Sequence, residues 1–130
     1  MTDGSEWFWG DLGTEDDREA IMATYDRVLR FPDGTRVAMK YDRPARVAVL
    51  HIFLSENVRH GKNVARVIAL AIDTARQDGM AKVTAPLIEG NPHLRPNRQV
   101  KFGFTLEAVL RRHCFVAGQI RDLYLYSLFL

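Results

Sequence analysis

The spacing of apolar positions changes period several times along the chain, and each change marks an element. Ile21, Met22, Tyr25, Val28 and Leu29 fall at helical spacing behind Thr14, with Glu15, Asp16 and Asp17 after it. An N-cap followed by acidic residues in the first turn predicts an amphipathic helix there. Phe31-Pro32-Asp33-Gly34 then stops the helix in a turn. Thr35 to Tyr41 reads as a strand ending at Asp42-Arg43-Pro44, which predicts a hairpin. Arg46 to Leu54 is nearly continuous in Val, Ile, Leu and Phe, the pattern of a central strand covered on both faces.

The second half repeats the change of period. Val64, Val67, Ile68, Leu70, Ala71 and Ile72 form the apolar part of a helix that ends at Gly79. Met80 to Ile88 is another strand, and strand, helix, strand in this order makes a crossover with locally parallel strands and a ligand crevice at their carboxyl ends. Glu89-Gly90-Asn91-Pro92 breaks the chain, Pro96 begins a short helix, and Gly103-Phe104 ends it. Thr105 to Val116 and Ile120 to Leu130, around Ala117-Gly118-Gln119, read as a long terminal hairpin. Trp7-Phe8-Trp9 suits a short strand or a plug against the core, and no internal repeat is present.

Composition narrows the class. With 130 residues, 47% hydrophobic and 26% charged, the chain suits one domain over 1–130, folded rather than disordered. A formal net charge of +2 gives no bulk argument for nucleic acid, although Arg95, Arg98, Lys101, Arg111 and Arg112 make the later part locally basic. The single cysteine, Cys114, excludes an intrachain disulfide and lies in an alternating, strand-like stretch. No apolar run reaches the roughly 18 residues of a membrane span, and no basic, then hydrophobic leader opens the chain. An intracellular, cytoplasmic protein is the expectation. His93 and His113 have no partners at recognisable metal spacing, so no metal site is expected.

The stretch His60-Gly61-Lys62-Asn63-Val64-Ala65 sits where the predicted central strand hands over to a helix. The first turn of a helix has free backbone N–H groups and a partial positive charge, which suits a phosphate. Standing alone, such a turn is a weak signal and reads first as a plain helix start.

The order of elements resembles that of the GNAT superfamily of N-acetyltransferases over roughly residues 45–130. Lys101-Phe102-Gly103-Phe104 is similar to the family's Lys-x-Gly-Phe segment. Leu110-Arg111-Arg112-His113, followed by Gly118-Gln119-Ile120-Arg121-Asp122, resembles the branch holding the ribosomal-protein alanine acetyltransferases. The resemblance implies an α/β fold with a central mixed sheet, flanking helices and a C-terminal β-hairpin. It also implies acetyl-CoA as cosubstrate, its pyrophosphate on the backbone of His60, Gly61, Lys62, Asn63, Val64 and Ala65. Its pantetheine would pair like an added strand with His51 to Leu54 at the end of the central strand, Phe53 and Leu54 foremost. Asn91 matches the family's asparagine after the next strand, where it can bond cofactor or water, and Asn-Pro is equally an ordinary turn.

The chain departs from the family in three places. Of the signature Gln/Arg-x-x-Gly-x-Gly/Ala, the register His60, Asn63, Ala65 keeps only the last position. Gln99 stands at the family's tyrosine, and Val47 to Phe53 holds no Asp or Glu. The candidate bases are therefore His51, whose unperturbed pKa is near 6.5, and Glu56 just after the strand. Two functions stay open: an N-acetyltransferase acting on a protein N-terminus or a small primary amine, and a catalytically silent GNAT-fold binding or assembly module such as a phage virion component. The second predicts a homo-oligomer or larger assembly, because Leu123 to Leu130 supplies apolar side chains to both sheet faces.

Overall fold

A computed structural model describes residues 20, 22–32, 34–53, 61–90, 102–116 and 118–130, the side chains of 53 and 61–63 excepted. Its strands are β1 (Arg27–Arg30), β2 (Arg36–Asp42), β3 (Val47–Phe53), β4 (Lys82–Ile88), β5 (Thr105–Val116) and β6 (Gln119–Phe129). A helix, α1 (Gly61–Gln77), joins β3 to β4. The six strands make one mixed sheet in the order β1-β2-β3-β4-β6-β5, parallel only between β3 and β4.

The crossover forms because α1 has one narrow apolar stripe. Val67, Ala71 and Ala75 recur at four-residue steps and are buried against Val37, Met39, Ala48, Leu50, Val83 and Tyr126 of the sheet, and Val64, one turn earlier on the same stripe, is buried as well. The helix stops as the sequence predicts. Gly79 takes a φ of 88°, its N–H donates to the Arg76 carbonyl at 3.1 Å, and the Met80 N–H donates to the Ala75 carbonyl at 3.0 Å. That pair of bonds is a Schellman motif, closed by the buried Met80.

The first predicted helix requires correction at its end: Ala20 and Met22 are helical, and the chain leaves the helix after Met22. Val28 and Leu29 lie on β1, which pairs with β2 through Val28/Ala38 and Leu29/Val37, and Tyr25 stands in the bend before it. Positions 28 and 29 satisfy a helical period, yet each also has a face to fill in a strand: Leu29 packs on the α1 side and Val28 joins Met22 and Ala38 on the other. Ladder bonds and two-sided burial override the weak local preference. The hairpin at the 31–34 turn therefore joins β1 to β2, closed by bonds from the Phe31 N–H to the Thr35 carbonyl and from the Gly34 N–H to the Phe31 carbonyl. A second antiparallel pairing, β2 with β3, is the one the sequence predicts.

β3 is central, but its two faces differ. Ala48 and Leu50 are buried toward α1, whereas Val47, Val49 and His51 are half-buried on the opposite face. The terminal hairpin forms as predicted, with register shifts between Leu106 and Ala108 and between Leu110 and Cys114. At the second shift Arg112 has a φ of 51° and its N–H donates to Asp122 Oδ1 at 2.9 Å. Tyr124, Tyr126 and Leu128 turn toward the main core, and Phe129 is 72% exposed beneath the Lys82 ammonium. Among the described residues, no helix is long and apolar enough to cross a membrane. Residues 7–9, 14–17 and 96 lie outside the described residues.

Candidate functional site

The ladder between β3 and β4 is short. It has three rungs, Val47/Lys82, Ala48/Val83 and Val49/Thr84, although each strand is seven residues long. Beyond the third rung the strands separate, and the direction of their backbone groups follows from the neighbouring ladders. The Leu130 N–H donates to the Ala81 carbonyl at 2.9 Å and the Glu89 N–H to the Asp122 carbonyl at 2.8 Å. Odd-numbered residues of β4 between these points therefore exchange bonds with β6, and Lys82, Thr84, Pro86 and Ile88 face β3. On β3, Arg46 accepts from the Lys82 N–H at 3.2 Å, so Ala48, Leu50 and Ile52 face β4 by the same alternation.

Pro86 fits this arrangement. A proline inside a sheet normally sacrifices a ladder bond and is confined to edges. Here its missing N–H points into the gap, where β3 has no rung to offer, so β4 is locally an edge in the middle of the sheet. The gap presents the backbone of Ile52 on one side and the Pro86 carbonyl and Ile88 backbone on the other. An extended ligand with amide groups finds donors and acceptors along both walls.

The helix beyond β3 starts at Gly61. Helix geometry leaves the N–H groups of Gly61, Lys62 and Asn63 without intrahelical carbonyls, while those of Val64 and Ala65 enter the helical ladder. Val64 also turns its side chain into the core, 4% exposed. The helical amides without an intrahelical acceptor are thus those of the first three helical residues. Within the stretch His51 to Leu54 named from sequence, Phe53 pairs with Arg36 and aims its backbone at β2, and Ile52 is the residue whose backbone faces the gap. Leu54, Glu56, His60 and Asn91 lie outside the described residues.

His51 is the candidate that the structure places beside the gap. It stands two residues past the last rung, opposite Ala38, on the face away from α1. Tyr25, which the sequence had assigned to a helix, reaches over it: Oη lies 2.7 Å from His51 Nδ1 and the rings meet edge to face at 5.6 Å. Burial pulls the His51 pKa from 6.5 down to about 4 and pushes the Tyr25 phenol up to about 12. Both groups are neutral near pH 7. On the same face, at the last rung, Thr84 and Ser127 hydroxyls meet at 3.0 Å, and Glu107 bonds both Ser127 and Lys82, the ion pair at 2.6 Å. Among the described residues no three His, Cys, Asp or Glu side chains are placed to hold a metal ion.

No family model matches the chain, and no curated protein matches it. Solved structures do. A ribosomal-protein-alanine N-acetyltransferase from Brucella melitensis superposes with a TM-score of 0.71 at 18% identity, covering 92% of this chain and 80% of that one. A spermidine N-acetyltransferase chimera involving Vibrio cholerae superposes at 0.73 and 16% identity, covering 99% and 92%. The chain has the GNAT fold. A third GNAT structure, a microcin C7 self-immunity acetyltransferase in complex with acetyl-CoA and AMP, gives 0.63 at 22% identity, covering 74% of this chain and 54% of that one. The mixed sheet, the parallel β3–β4 pair and the crossover helix of this chain therefore make up that fold, and the gap lies inside it, past the last β3–β4 rung.

Proposed function

We propose that the chain is an acetyl-CoA-dependent N-acetyltransferase whose acceptor is a protein N-terminus or a small primary amine. The observation that carries this reading is the gap between β3 and β4, which lies at the carboxyl end of β3 where α1 follows. Ile52, Pro86 and Ile88 would pair with the pantetheine amides as an added strand, and the amides of Gly61, Lys62 and Asn63 would take the pyrophosphate. Main-chain recognition tolerates side-chain change, which is why an altered signature at His60 and Asn63 is compatible with binding. Leu54, His60 and Asn91 extend the proposed cosubstrate site, and Glu56 stays a candidate base. The names of the solved neighbours, an alanine and a spermidine N-acetyltransferase among them, support nitrogen as the acceptor atom.

Calorimetry and thermal unfolding with acetyl-CoA test the reading. At about a hundred times its dissociation constant, acetyl-CoA stabilises the native state by roughly 2.7 kcal/mol through mass action. A midpoint unmoved by millimolar acetyl-CoA, together with no heat of binding, overturns it.

A further inference from the structure

Tyr25 is half-buried in the segment before β1, with Met22, Val28 and Ala38 packed around it on the sheet face away from α1. Its Oη is 2.7 Å from His51 Nδ1, and the ring planes stand at 89°. Because His51 is two residues past the Val49/Thr84 rung, it stands beside the gap, and Tyr25 reaches it from the side of β2. A phenol has one proton. Once that proton is given to Nδ1, Oη holds only lone pairs toward any further partner, so it accepts and cannot donate.

Resting on the acetyltransferase reading above, we propose that Tyr25 Oη accepts an N–H of the incoming amine, and that His51 is the positioning residue that holds the phenol proton turned away from it. The amine must attack through its lone pair. A bond from its N–H to Oη orients the nitrogen and leaves that lone pair aimed at the thioester carbonyl. In the transfer an N–C bond forms as the C–S bond breaks, the sulfur leaves with the electron pair, and the surplus proton on nitrogen passes to solvent. Tyr25 and His51 end the cycle as they began. Burial keeps both groups neutral, so the bond between them stays one between uncharged partners across the neutral range, its direction set by the His51 tautomer.

Nitrogen-15 NMR of the full chain tests the arrangement without cosubstrate or turnover. His51 shows an unprotonated, hydrogen-bonded Nδ1 and a protonated Nε2, and Tyr25→Phe moves the Nδ1 signal. A protonated Nδ1 overturns the proposal. Because acetyl-CoA is absent from this measurement, its failure is distinct from failure of the acetyltransferase reading, which shows as wild-type protein that does not bind acetyl-CoA. Kinetics use spermidine and a peptide beginning with alanine as probes. For a probe that is turned over, Tyr25→Phe lowers kcat/KM roughly 10- to 100-fold with acetyl-CoA affinity unchanged. His51→Asn, whose Oδ1 accepts in place of Nδ1, retains most of the activity, and His51→Leu falls with Tyr25→Phe. His51→Asn as inactive as His51→Leu overturns the positioning role.

Discussion

Thr84 Oγ1 and Ser127 Oγ lie 3.0 Å apart in the last row of the sheet before β3 and β4 separate. Thr84/Ser127 is one of the pairs that exchange no backbone bonds, and in such pairs side chains come closest. Ser127 is 1% exposed and also bonds Glu107. Removing one hydroxyl strands the other: Ser127→Ala costs about 1–3 kcal/mol in denaturant unfolding. Replacing both, Thr84→Val with Ser127→Ala, recovers much of that loss, since the buried pair becomes apolar together. A double variant as unstable as the sum of its singles, with Thr84→Val measured alone, refutes the coupling.

His51 gives stability a pH dependence with a defined sign. Its folded pKa is about 4 against 6.5 in the unfolded chain, so between these values the unfolded state binds more protons and stability rises with pH. The contribution is complete above pH 6.5, declines as pH falls through 6 and 5, and is exhausted below 4, amounting to about 3 kcal/mol at most. His51→Asn flattens the unfolding free energy across that window. A wild-type slope between pH 4 and 6.5 that survives in His51→Asn removes His51 as its source.

Glu107 occupies the register shift between Leu106 and Ala108, and the bulge gives its carboxylate reach to Lys82 Nζ at 2.6 Å as well as to Ser127. Those hydrogen bonds, the Lys82 one first, hold its pKa below the ordinary carboxylate value. Carbon-13 titration of the Glu107 carboxyl shows a depressed midpoint that Lys82→Met returns toward that of an exposed glutamate. An unmoved midpoint in Lys82→Met assigns the depression to Ser127 instead.

Periodicity made the second half of the chain legible, because α1, β4, β5 and β6 each carry a long, single-period pattern with a glycine or hairpin at the end. It failed at residues 25–29, where Tyr25, Val28 and Leu29 continue a helical spacing and the decisive partners, Met39, Ala38 and Val37 on β2, lie outside any local window. The same misreading hid Tyr25, whose contact with His51 spans 26 residues of sequence. Local pattern cannot register a contact of that separation. Pro86, visible from the start inside a strand pattern, was the signal for the gap: only a strand that is locally an edge accommodates it.

Pro86 and its neighbour Ala85 supply the sharpest check on that gap. The two residues differ in where their backbone points, Ala85 toward Tyr126 of β6 and Pro86 toward the opening beside β3. Pro86→Ala restores an N–H that faces the gap, breaks no ladder bond, and changes unfolding stability by less than about 1 kcal/mol. Ala85→Pro deletes an N–H that bonds the Tyr126 carbonyl and costs about 3 kcal/mol or more. If β3 and β4 instead paired along their whole length, the proline already present at 86 would be the damaging one, and Pro86→Ala would stabilise the fold by a comparable amount. Urea unfolding of the two variants side by side separates these outcomes, because the predicted costs differ by more than the uncertainty of a linear extrapolation.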